Sequence, residues 1–202
     1  MTQIRLCTRR QVIVMDLLEA LSREKALSPL KLPQQAHDKH TVGDEGYYAF
    51  VWDDQSTMIY IIIDQSTSIP YLLLEGPKAE AAARMLQQAR IVETADELIS
   101  QCREARHTDD KIDLICRLGI ASYFDVRADI LDVFHHYMLD GDVRVRQSAV
   151  FATSFVGWAE FEPMLATAME RDPDTRVSAI AESAIRIMRE SDWSDPQQSS
   201  AR

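Results

Sequence analysis

Two stretches of this 202-residue chain repeat one another: Asp140-Gly141-Asp142-Val143-Arg144-Val145 returns 32 residues later as Asp172-Pro173-Asp174-Thr175-Arg176-Val177. The match runs on into the segments that follow, where Val145, Ala149, Ala152 and Val156 correspond to Val177, Ala181, Ala184 and Met188. That spacing, i, i+4, i+7 and i+11, is one face of an α-helix, and small residues at its middle let a neighbouring helix approach closely. A weaker copy lies 33 residues upstream, where Asp109-Asp110-Lys111-Ile112 is followed by Cys116, Gly119 and Tyr123. Amphipathic stretches at 126–139 and 161–171 precede the second and third Asp-containing turns. Helix, turn and helix therefore make one unit, and three units are expected. Such pairs cannot bury their apolar faces alone, so they must stack.

A helix followed by D-x-D-x-R-V and then by small residues resembles the HEAT and HEAT-like repeats, including those of the phycobilisome-lyase type. The resemblance covers residues 109–190. It implies a short α-solenoid in the C-terminal half, with Asp142 and Asp174 capping the second helix of each pair by accepting backbone N–H groups. It also implies that Arg144 and Arg176 link neighbouring units through hydrogen bonds to acidic groups. The first unit departs from the pattern, with Lys111 where the others have Arg. No single activity follows, because such repeats serve as adaptors, inhibitors, enzyme subunits and occasionally enzymes.

The N-terminal residues read differently. Residues 8–23 carry helical periodicity, with Thr8 at the N-cap position and Ile13, Val14, Leu17, Leu18 and Leu21 on one side. Pro29 and Pro33 end that helix, and the polar run 34–46 reads as a loop. Three β-rich runs follow at 47–52, 57–64 and 69–75, joined by connections short enough for antiparallel neighbours. The middle one, Met58-Ile59-Tyr60-Ile61-Ile62-Ile63, is apolar on both faces, which predicts a central strand covered on each side. The covering helices are the first one and another spanning 79–89, with Pro77 at an N1-like position. The expected fold is mainly α with a small α+β part: an N-terminal helix plus a three-stranded antiparallel sheet, then a short HEAT-like α-solenoid. The expected organisation is an α+β unit at 1–92, helical repeats at 93–190 and a flexible tail at 191–202, where Trp193 offers a cap for the open end of the last repeat.

Composition narrows the function. Thirty-two acidic against twenty-two basic side chains leave a net charge of −10, and residues 109–190 contribute fifteen Asp/Glu against nine Lys/Arg. No basic stripe offsets this excess, so nucleic acid is not an expected partner; a basic protein partner, or simple solubility, fits the charge. The apolar runs are too short to cross a bilayer and the N-terminus lacks a signal-peptide layout, so a cytoplasmic, non-membrane protein is expected. Cys7, Cys102 and Cys116 form no C-x-x-C pair and read as buried or incidental free thiols.

Small constellations have ordinary explanations. His37 and His40 stand three apart without a third ligand and read as a solvated loop. His135 and His136 are adjacent on a helix, one packed and one exposed. Asp53-Asp54 is expected in a hairpin loop and Asp109-Asp110 in a helix cap. No Gly-rich loop offers a phosphate cradle, and no nucleophile signature surrounds a Ser or Cys, so no metal, cofactor or catalytic residue is assigned. Phe134, Tyr137, Phe151, Phe155 and Trp158 are read as core. The residues beside the packing stripe, Arg146, Val150, Thr153, Ser178 and Glu182, would then supply a concave partner-binding ridge. The expected function is a non-catalytic protein-interaction module, an adaptor or an acidic immunity or inhibitor-type protein for one partner. The alternative is a HEAT-like enzyme, either a lyase acting on a bound tetrapyrrole-like chromophore or a DNA glycosylase.

Overall fold

A computed structural model describes residues 3–10, 30–31, 40–42, 45–52, 57–63, 66–122 and 126–190. The chain divides between Leu98 and Ile99 into two compact units.

In the first unit, β1 (Gln3–Cys7), β2 (Leu30–Lys31), β3 (His40–Val42), β4 (Glu45–Trp52), β5 (Met58–Ile63) and β6 (Pro70–Glu75) form one sheet in the order β1-β6-β5-β4-β2, with β3 also paired to β4. All the pairings are antiparallel. The three runs predicted from sequence are β4, β5 and β6, and β5 is central, as its apolar composition requires. The sheet is wider than three strands. Register aligns Ile4, Leu74 and Ile59 in one row and Leu6, Leu72 and Ile61 in the next. Both rows are buried against Ala79, Ala82, Ala83 and Leu86 of α1 (Ala79–Gln88). Small residues on α1 let it sit low on the Ile/Leu surface beneath it. Pro77 stands one residue ahead of the N-cap Lys78 rather than at N1.

Thr8, expected to cap the first helix, directly follows β1. It is fully buried, bridges Val92 and donates its hydroxyl to the Pro70 carbonyl at 2.7 Å, so it continues the edge of the sheet. The helix expected beyond it lies outside the described residues, as do His37, Asp53, Asp54 and the tail at 191–202, whereas the run 34–46 expected as a loop contains β3, with His40 in it, and the start of β4. At the far end of this unit, Thr94 and Glu97 form a reciprocal capping box. The Thr94 N–H donates to Glu97 Oε2 at 2.9 Å, and the Glu97 N–H donates to Thr94 Oγ1 at 3.2 Å. It opens α2 (Ala95–Glu104), the helix in which the two units meet along the chain.

The second unit is helical: α3 (Thr108–Ala121), α4 (Ala128–Met138), α5 (Val143–Val156), a 3-10 turn at Ala159–Phe161, α6 (Glu162–Arg171) and α7 (Thr175–Glu190). Helix α3 packs on α5 and α5 on α7, while α4 lies against α5 and α6 against α7. The repeated stripe is what they bury: Val145, Ala149, Ala152 and Val156 of α5, then Val177, Ala181 and Ala184 of α7. Where α3 meets α5 the approach is closest, since a Cβ on Gly119 would lie 2.7 Å from the Ala152 carbonyl oxygen. Gly119 and Ala152 occupy equivalent positions of successive units, so the small residues do the work that their spacing predicts.

An aromatic cluster fills the space behind the stripe. Phe134 and Phe161 have ring centroids 4.9 Å apart, and Trp158 stacks on Phe161 at 5.7 Å. Tyr137 is buried and donates its hydroxyl to the Cys102 carbonyl at 2.8 Å. Phe151 and Phe155, by contrast, are only half-buried and meet edge to face. Helix α5 ends at Gly157, whose φ of 72° is the left-handed conformation that glycine adopts without a Cβ penalty. No described helix is long and apolar enough to cross a membrane.

Candidate functional site

The repeated D-x-D-x-R sequence builds one two-step turn at each of its copies. Asp140 Oδ1 accepts the N–H of Asp142, and Asp172 Oδ1 accepts the N–H of Asp174, each at 2.9 Å. The second aspartate then caps the helix: Asp142 Oδ1 takes the Arg144 N–H and Asp174 Oδ1 the Arg176 N–H, again at 2.9 Å. In the first unit the corresponding Asp109 lies inside the first turn of α3, and the N-cap position is His107 without a side-chain cap bond.

The arginines divide the labour differently from the expectation. Arg144 and Arg176 fold back onto Asp142 and Asp174 of their own turns. These guanidiniums, with the capped backbone N–H groups, hold the carboxyls of Asp142 and Asp174 down at about 2. Arg144 reaches the neighbouring unit only through a 3.5 Å contact with the exposed Asp109, a geometry worth little in water.

The strong link is made by Arg146. Its Nε donates to Asp172 Oδ2 at 2.7 Å and its Nη2 to Asp172 Oδ1 at 3.0 Å, while Nη1 donates to the Asp140 carbonyl at 3.0 Å. The pair is largely shielded, with side-chain exposures of 12% and 5%. Arg146 lowers the Asp172 carboxyl below its usual range against the opposing effect of burial. One unit earlier, Lys111 Nζ meets Asp140 Oδ2 at 2.6 Å. Burial pushes the Asp140 carboxyl up, but Lys111 and the Asp142 N–H outweigh it. Each first aspartate therefore closes its own turn with one oxygen and receives a cation from the preceding unit. Lys111, which departs from the arginine pattern, is one of those cations.

This accounts for the five residues read as a partner-binding ridge, most of which the structure places elsewhere. Arg146 is held in the link to Asp172. Val150 and Thr153 are fully buried, because in α5 that arc of the helix turns inward with the stripe. Ser178 is half-buried, and Glu182 alone of the five is exposed. The surfaces that are open lie one or two positions further round the helices. A 380 Å³ groove between α5 and α7 is lined by Phe151, Ser154, Ile180, Ser183 and Ile187, the last 46% exposed. A 480 Å³ cleft between α4 and α6 is lined by Met138, Leu139, Met164 and Arg171, with Leu139 67% exposed and the Arg146–Asp172 pair at its base. On the other side of α6, a 540 Å³ cleft against α7 holds Met169, Ile185, Glu170 and Glu182. Ile180 and Ile187 lie off the Val177–Ala181–Ala184 stripe at helical spacing, the sequence signal that could have found the first groove.

His135 and His136 are both exposed, a correction to the expected split, because the buried arc of α4 is already filled by Ile130, Val133, Phe134, Tyr137 and Met138. All three cysteines are buried. Among the described residues no group of three His, Cys, Asp or Glu side chains converges as metal ligands would. No protein-family model, no curated protein and no solved structure matches the chain.

Proposed function

We propose that this chain is a non-catalytic protein-interaction module on a HEAT-like helical stack, an adaptor or an immunity or inhibitor-type protein that binds one basic protein partner. The observation that supports the reading is how charge is spent in the helical unit. Of the nine Lys/Arg within 109–190, seven engage acidic groups: Lys111, Arg117, Arg127, Arg144, Arg146, Arg176 and Arg189. Asp132, Glu160, Glu170, Glu182 and Glu190 make no such pair among the described residues and are exposed. Four of these cations are spent within their own helix or turn and three, Lys111, Arg146 and Arg189, between elements, while these carboxylates face solvent around open apolar clefts. Such a surface repels acidic partners and steers basic ones.

The test is affinity capture from the native lysate at low and moderate salt, followed by kinetics with the purified partner. One stoichiometric basic protein, whose association rate falls steeply with salt while dissociation changes little, is the expected result. An uncharged partner with salt-independent association would sink the reading. Retention of a chromophore or of DNA instead of a protein would move the chain to the enzyme class.

A further inference from the structure

We infer that the outer side of the last helix pair, the cleft between α6 and α7, docks a basic amphipathic helix of the partner protein. The inference rests on the interaction-module reading and deepens it by naming the surface and the chemistry that fits it.

Three observations converge on this cleft. Within the stack, α3 is covered by α5 and α5 by α7, but among the described residues nothing comparable covers the next face of α7. Neither place that sends a cation onward in the earlier units does so here: Ser178, 32 residues after Arg146, carries no charge, and Arg176, at the place of Lys111, is held by Asp174 of its own turn. The face is therefore shaped as the seat of a further helix without being built for a further copy of the repeat. Its floor is apolar, formed by Ile185 and by Met169, which is 37% exposed, and methionine adapts to varied apolar anchors. Its rim is acidic. Among the described residues Glu170, Glu182 and Glu190 have no ion-pair partner, Arg189 is held by Glu162, and Arg186 makes no ion pair. An apolar stripe flanked by lysines or arginines matches both floor and rim, and a helix presents such a stripe at i, i+3 or i+4, and i+7.

The experiment titrates the full chain, labelled at its methionine methyl groups, with a synthetic amphipathic helical peptide carrying leucines at that spacing and lysines on both flanks. The expected result is a shift of the Met169 methyl resonance while Met138 and Met164 stay in place. Affinity should weaken about tenfold in the double variant Glu170→Lys/Glu182→Lys and fall with rising salt. Both substitutions are at exposed positions, and Met169→Ala serves as an uncharged second variant that should also weaken binding. Shifts at Met138 and Met164 instead would place the peptide in the α4–α6 cleft, overturning this site while leaving the interaction-module reading intact. No binding, or sedimentation showing that a second copy of the chain occupies the face, would overturn the inference.

Discussion

Replacing Gly119 by alanine tests whether the close contact between α3 and α5 is an organising feature of the stack. The new Cβ would lie 2.7 Å from the Ala152 carbonyl oxygen and 3.3 Å from the Ala152 Cβ. A carbon–oxygen contact is comfortable only beyond about 3.3 Å, so the helices must separate by roughly 0.6 Å at that point. The oxygen belongs to the backbone and cannot rotate aside, which puts the cost toward the upper part of the overpacking range, about 2–3 kcal/mol. Alanine returns about 1 kcal/mol through its higher helix propensity. The net expectation is a loss of about 1–2 kcal/mol, seen as a drop of roughly 0.5–1 M in the urea midpoint followed by circular dichroism. Gly141→Ala is the matched control, since a Cβ there meets nothing within 4 Å, and it should leave the midpoint unchanged or slightly raised. Adding Ala152→Gly to Gly119→Ala should rescue little, because it removes the side-chain contact and leaves the carbonyl in place. An unchanged or raised midpoint for Gly119→Ala would refute the reasoning.

Three further outcomes follow from the turns and their links. Asp172→Asn should destabilise by about 2–4 kcal/mol, because it strips the partner from a shielded guanidinium. Arg146→Met/Asp172→Leu should cost much less than the two single changes combined, as a double-mutant cycle in thermal unfolding would reveal. Asp142→Ala should lower the denaturant midpoint through its lost cap, whereas Asp109→Ala should leave it nearly unchanged; denaturant titration compares them. Asp142, Asp174 and Asp172 all have folded-state values below their unfolded ones, so their contribution is full above the unfolded carboxylate range and is lost as pH falls through the folded values. Melting temperature should therefore fall as the pH drops from about 4 toward about 2, and Asp142→Ala/Asp174→Ala should flatten that fall.

The repeat was legible because packing imposes it: α5 and α7 bury the same arc with the same residue sizes, and periodicity reports that arc directly. The cap role of Asp142 and Asp174 was legible for a similar reason, since a carboxylate at that offset has one nearby set of N–H groups to accept. The cation links were not. Arg144 stands in the repeated motif and Arg146 does not, yet Arg146 makes the buried bidentate contact, because two residues further along a helix turn a side chain through half a circle toward the next unit. The same rotation explains why Val150 and Thr153 are buried rather than open. Strand β1 escaped notice although Ile4 and Leu6 alternate with polar neighbours, since five residues at a terminus give a weak period. The capping box at Thr94 and Glu97 is legible as T-x-x-E, a motif short enough to recur by chance along a chain.

The absence of a cation at Ser178 also sets an order of unfolding. Each helix pair is held to the next by an apolar interface and a shielded charge contact, as Lys111–Asp140 and Arg146–Asp172 show, whereas the last pair has such a connection, among the described residues, on one side only. In a chain of nearest-neighbour units, the member with the fewest connections opens first. Amide hydrogens of α7 should accordingly exchange through local fraying at denaturant concentrations where those of α5 still require cooperative opening of the unit. A partner helix seated on α7 would then register as slowed exchange along the stack toward α5, so that occupancy of one end is read out as protection at a distance from it.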